Sequence, residues 1–220
     1  MREIFTAELE ALGQDLTSMG RLVEAAITDA GTALLSADLT LAERVIGNDH
    51  LIDAMERDLD ERCVRLIAQQ QPVARDLRIV ISALRMSASL ERMGDLARHV
   101  AEVARLRYPA TAVPSTMVPV FTEMHEASVI LAQRVTEVLH SRDLALAEEI
   151  QRADDTLDRL HAQTFGATLG GKQQLTGQET VDVTLCARYF ERFGDHGVSI
   201  ARRVVYLVTG EFGEDLGGEI

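Results

Sequence analysis

Tryptophan is absent from this 220-residue chain, and aromatic residues make up only 4% of it. A core built without large rings has to be filled by Ala, Leu, Val, Ile and Met. With abundant Arg and Glu, such a mixture favours helix, because straight-chain residues lose little rotamer freedom there. Proline occurs four times, so few points force a helix to stop. The two cysteines, Cys63 and Cys186, form no Cys-x-x-Cys pair and read as buried free thiols. Basic residues are scarce: 22 Lys and Arg face 35 Asp and Glu, a formal charge of −13. That balance excludes the nucleic-acid phosphate backbone as the main partner and disfavours direct attachment to anionic lipid. No apolar run reaches the ~18 residues of a membrane span. The first residues, Met1-Arg-Glu-Ile-Phe5, enter an amphipathic pattern with no secretory leader, so the expected location is cytoplasmic. Walker A, dinucleotide-glycine and Gly-x-Ser-x-Gly motifs are missing, and no nucleophile stands in pattern with a base. A non-enzymatic role follows as the expectation.

What the chain does contain is an internal repeat. Ser36-Ala-Asp38-Leu-Thr-Leu-Ala-Glu43 returns as Ser141-Arg-Asp143-Leu-Ala-Leu-Ala-Glu148, at an offset of 105 (141 − 36). Glu91-Arg-Met-Gly-Asp95 returns as Glu191-Arg-Phe-Gly-Asp195, at an offset of 100 (191 − 91). Each copy reads as three helices. Leu9, Leu12, Leu16, Met19, Val23, Ala26, Ala30 and Leu34 make one stripe. Val45, Ile52, Leu59 and Leu66 form the seam of the next helix, stopped at Gln71-Pro72. Asp38 and Asp143 are candidate N-caps. The third helix runs from about 75 to 107. A Pro-marked linker follows, and then Val120, Met124, Ala127, Leu131, Val135 and Val138 define the fourth helix. The fifth ends near Leu169, before a Gly170-Gly171 turn; Thr176-x-x-Glu179 caps the sixth, and Gly210 ends it. No period-two alternation is long enough for a sheet. The expected fold is all-α, two tandem antiparallel three-helix bundles: residues 1–108, a linker at 109–119, residues 120–210, and a flexible tail at 211–220.

The chemistry concentrates in acids spaced by four, which places each pair on one helix face. The pairs are Asp49 with Asp53, Glu91 with Asp95, Asp154 with Asp158, and Glu191 with Asp195. On the third helix, Leu77, Ile81, Leu84 and Ala88 lead in helical steps to Glu91 and Asp95, so the acids are expected to interrupt an apolar stripe. A carboxylate near a core must be neutralised, paired or bound to a cation. Three readings stay open on the residues: ion pairing with Arg85, Arg92, Arg98 or Arg192, a solvated charged face, or a site for Fe, Mn, Zn, Mg or Ca. His99 and Glu102 extend the first cluster, whereas Ser199 and Arg202 stand at the matching places, so the first cluster is expected to be richer in ligands. His161, three residues after Asp158, is a further candidate. Gly94 and Gly194 inside the motifs suggest close approach of a neighbouring helix or bound group. Arg78, Arg85 and Arg92, seven apart, share a face suited to solvent, an anion or a partner protein. The competing class is a di-iron-type helical metalloenzyme or store. Such a bundle needs two Glu-x-x-His pairs, and only Glu137-x-x-His140 fits.

Gln71-Pro-Val-Ala-Arg-Asp-Leu-Arg78, Leu90-Glu-Arg-Met-Gly-Asp95 and Phe190-Glu-Arg-Phe-Gly-Asp195-His196, taken together, resemble the PhoU family over nearly the whole chain. The resemblance implies two three-helix bundles and a negative regulator of the phosphate-starvation response. It implies partners in the ATPase subunit of a phosphate ABC transporter and a phosphate-sensing histidine kinase. It also implies multinuclear Fe or Zn at Asp49, Asp53, Glu91 and Asp95, and at Asp154, Asp158, Glu191 and Asp195. A homodimer is expected from the helical surface.

Overall fold

The computed structural model describes residues 2–169 and 175–211. Six helices occupy them: α1 (Arg2–Ser36), α2 (Leu39–Gln70), α3 (Ala74–Arg107), α4 (Val118–Ser141), α5 (Ala145–Leu169) and α6 (Gly177–Thr209). The described residues hold no strand. The Gly170-Gly171 turn and the tail beyond 211 lie outside the described residues.

The helix ends follow local chemistry. Asp38 accepts a 3.0 Å bond from the Leu41 amide and caps α2. Asp143 takes the Ala145 amide at 3.0 Å as the chain turns into α5. Thr176 and Glu179 make the reciprocal capping box of α6. Gln71, ahead of Pro72, turns left-handed at φ 46° and closes α2, its amide reaching Ile67 O. Gly210 does the same for α6 at φ 84°, a conformation that costs glycine nothing sterically. Between the copies, Ala112, Val113 and Met117 are buried, and Pro119 sits in the first turn of α4.

In each copy the three helices pack on one another: α1, α2 and α3 in the first, α4, α5 and α6 in the second. The copies then join along two seams, α1 on α4 and α3 on α6, with α2 and α5 on the outside. The core is continuous across both, from Leu12, Met19 and Ile27 through Leu90 and Met93 to Phe121, Phe190 and Phe193. Cys63 and Cys186 are free and buried within it.

The seams follow a pseudo-two-fold. A Cβ on Gly20 would stand 3.0 Å from Thr136 Oγ1, and one on Gly31 would strike the His125 ring. Gly20 and His125 are repeat equivalents, as are Gly31 and Thr136. The same contact is therefore made twice with the roles exchanged. The α3–α6 seam is antiparallel: Arg78 lies over the Tyr206 ring at 5.2 Å, while Arg107 binds Asp182 with two bonds of 2.6 and 2.9 Å.

One expectation is overturned on α3. Leu77, Ile81 and Ala88 are exposed, and Leu84 is only partly buried. The buried side runs through Val80, Ala83, Met86, Leu90, Met93, Ala97, Val100 and Ala104. Glu91 and Asp95 therefore do not break into the core stripe; they sit at the edge of the buried face, where α2 lies alongside.

Candidate functional site

Pairing α2 with α3 brings the acids of the first copy together, and pairing α5 with α6 does so in the second. In the first, Asp49, Asp53, Glu91 and Asp95 are all half-buried. Arg98, one turn beyond Asp95 on α3, reaches into them. Its Nε stands 2.7 Å from Asp49, Nη2 donates to Asp95 at 2.7 Å, and Nη1 donates to Glu102 at 2.7 Å. Arg92 adds Asp95 at 3.1 Å and Glu91 at 3.4 Å. Burial pushes the Asp49 carboxyl up, and the Arg98 guanidinium pulls it back. Glu91 rises through burial and the nearby Asp95 charge. Glu56, a turn beyond Asp53 on α2, belongs to this group and was missed from sequence; burial and the charges of Asp60 and Asp53 raise it. Its spacing of three from Asp53 was the available signal.

The second cluster lacks that guanidinium. Val198 stands where the first copy has Arg98, and it is buried. Asp154 is 6% exposed and Glu191 9%, while Asp158 and Asp195 are exposed. Arg188 pairs with Glu191 through Oε1. Asp154 Oδ1 and Glu191 Oε2 are buried with no hydrogen bond among the described residues. Burial first, then the charges of Asp158 and Asp195, push the Asp154 carboxyl up to about 7. Asp158 and Glu191 rise for the same two reasons. Gly194 makes room for this arrangement, since a Cβ there would collide with Asp154 Oδ1. At Gly94 a Cβ would instead meet Ile52 Cδ1 at 2.8 Å, with Asp49 farther off at 3.7 Å.

The residues expected to enrich the first cluster in ligands have other contacts. Glu102 is bound to Arg98, and His99 packs its ring on Tyr189 across the seam at 5.2 Å. His161 lies on α5 with its ring against Phe165 at 4.9 Å. Arg85, Arg92 and Arg192 are exposed, whereas Arg78 is held within the α3–α6 seam. Glu137 and His140 are exposed on α4, and Glu137 pairs with Arg134 at 2.8 Å.

Among the described residues, no group of three or more His, Cys, Asp or Glu side chains is arranged to hold a metal ion as it stands. Burial first, and then neighbouring carboxylate charges, raise Asp154, Asp158 and Glu191. The donor chemistry of the second cluster still suits a hard or borderline cation: all oxygen, with two buried acceptors unpartnered. The first cluster fits poorly, because Arg98 already sits among its acids.

The sequence profile of the PhoU domain matches residues 16–104 and again 121–204, one match on each three-helix unit. The chain belongs to the PhoU family. A crystal structure of PhoU from Pseudomonas aeruginosa superposes with a TM-score of 0.85 at 33% identity, covering 94% of this chain and all of that one. The phosphate transport system regulatory protein PhoU from Streptococcus pneumoniae gives a TM-score of 0.83 at 27% identity, over 96% of this chain and 99% of its own. Phosphate-specific transport system accessory protein PhoU homolog 1 of Mycobacterium leprae is 40% identical over 215 residues, 98% of this chain and 97% of the relative. Two PhoU domains in one chain account for the repeat. Among the described residues of this PhoU-family chain, no helix is long and apolar enough to cross a membrane.

Proposed function

We propose that this chain is a phosphate-transport accessory protein that represses the phosphate-starvation response and phosphate uptake. The observation that carries the reading is the PhoU match at residues 16–104 and 121–204, with a relative named for the phosphate-specific transport system that is 40% identical over 98% of the chain. In this reading it works in the cytoplasm as a homodimer and couples the ATPase subunit of a phosphate ABC transporter to a phosphate-sensing histidine kinase. It acts by binding one conformation of its partners better than another, since equal affinity shifts no equilibrium. Exposed apolar side chains at one end of the first bundle, Val64, Val73, Leu77 and Ile81, offer a surface for such contacts. A cluster of paired acids binds iron or zinc. Arg85, Arg92 and Arg192 are the exposed cations for a partner or anion.

The test is alkaline phosphatase expression in phosphate-rich medium, in bacteria lacking their own PhoU protein. Introducing this gene together with its own transporter and kinase genes restores repression. Continued high expression, with the protein folded and abundant, removes the proposal.

A further inference from the structure

We propose that the two acid clusters are neutralised differently: Arg98 is a built-in cation for the first, and a divalent metal ion is bound at the second alone. The inference rests on the metal-binding part of the function proposed above and gives it a location.

The argument starts from the second cluster. Asp154 is more than nine-tenths buried and the Glu191 side chain is 11% exposed, and each holds a buried carboxylate oxygen with no hydrogen-bond partner among the described residues. A buried, unpartnered carboxylate is costly, and the cost is relieved by a proton or a cation. The protein supplies little of either charge or donor. Arg188 reaches only the other oxygen of Glu191, and the residue matching Arg98 is the apolar Val198. Asp158 and Asp195 add two further carboxylates from the exposed side. Gly194 makes room for the Asp154 carboxylate, whose Oδ1 lies where a Cβ would stand. Four carboxylates from two facing helices, two of them anchored and two on the surface, suit a divalent ion that retains water once the side chains draw in around it.

The first cluster has nearly the same acids and another solution. Arg98 donates hydrogen bonds to Asp95 and Glu102, each at 2.7 Å, and its Nε forms an ion pair with Asp49 at 2.7 Å. A guanidinium presents a planar fork of donors and stays charged at any physiological pH. A metal entering here has to displace it and then tolerate its charge within a few ångströms. The Coulomb repulsion opposes loading.

The experiment counts bound ions in chelator-stripped full-length protein titrated with Mn2+, reading free ion by its aqueous paramagnetic resonance signal; Zn2+ binding is measured in parallel by calorimetry. Circular dichroism checks that each variant is folded. Asp154→Asn and Glu191→Gln each weaken binding at least tenfold, whereas Asp49→Asn and Glu91→Gln change it less than twofold. Arg98→Val, which copies the second cluster into the first, adds a new class of sites. Equal losses from variants in both clusters, or no gain from Arg98→Val, overturn the inference and leave metal binding standing. Absence of Mn2+ and Zn2+ binding in every folded variant overturns both.

Discussion

Gly94 and Gly194 occupy the same place in the repeat but face different neighbours. At Gly94 the obstacle is the terminal methyl of Ile52, which can turn aside, and alanine gains up to about 1 kcal/mol of helix propensity. At Gly194 the obstacles are the short Asp154 carboxylate and Leu157, in a packed core. Gly94→Ala is expected to stay within about 0.5 kcal/mol of the parent, and Gly194→Ala to lose about 1–2 kcal/mol, read from urea midpoints. His125 supplies a second residue-level prediction. Its ring fills the notch at Gly31, and Nδ1 is buried without a hydrogen bond among the described residues. Burial lowers its pKa below the ordinary 6.5. The unfolded chain therefore takes up a proton first, and stability falls as pH drops below 6.5 toward the folded value. The same sign holds for His161 and His196, both lowered mainly by burial. His125→Gln should flatten part of the acid slope of the thermal midpoint between pH 7 and 5 and leave the rest.

The helices themselves show what was legible in the sequence. Ends were readable because single residues write them: Asp38, Gln71-Pro72, the Thr176 box and Gly210 all lie where the chemistry puts them. Asp38→Ala is expected to cost about 1 kcal/mol as α2 loses its cap. Gln71→Gly should gain about 0.5 kcal/mol, because the left-handed turn at φ 46° strains any side chain more than glycine loses in entropy. Faces were harder. Helix α3 touches α1, α2 and α6, so burial wraps much of its circumference, and its core positions are filled by Ala, Ser and Gly as well as Leu and Met. A periodic search favours the large residues Leu77 and Ile81, which the fold leaves outside. The acids were found by their spacing. Which of them stay unpaired was not, because the answer lies in Arg98 against Val198, a difference without meaning until α2 is laid on α3 and α5 on α6.

For the whole molecule, the decisive contacts are those between copies. Both α1 and α3 bury apolar faces on the second unit, and Arg107 reaches the nearly buried Asp182 across the seam. Neither copy holds its full core alone. Residues 1–108 and 109–220 expressed separately should aggregate or melt well below the intact chain, while co-expression should return a native-like complex by size-exclusion chromatography and circular dichroism. Two fragments that each fold and stay monomeric would show that the seams add little. The exchanged contacts, Gly20 on Thr136 and Gly31 on His125, are those that two identical subunits make about a dyad. A true homodimer must write every change twice, so a guanidinium placed in one cluster appears in both. Joining the halves in one polypeptide lifts that restriction. Each half can be edited alone, and a molecule with nearly symmetric architecture can hold a self-satisfied side facing an open one.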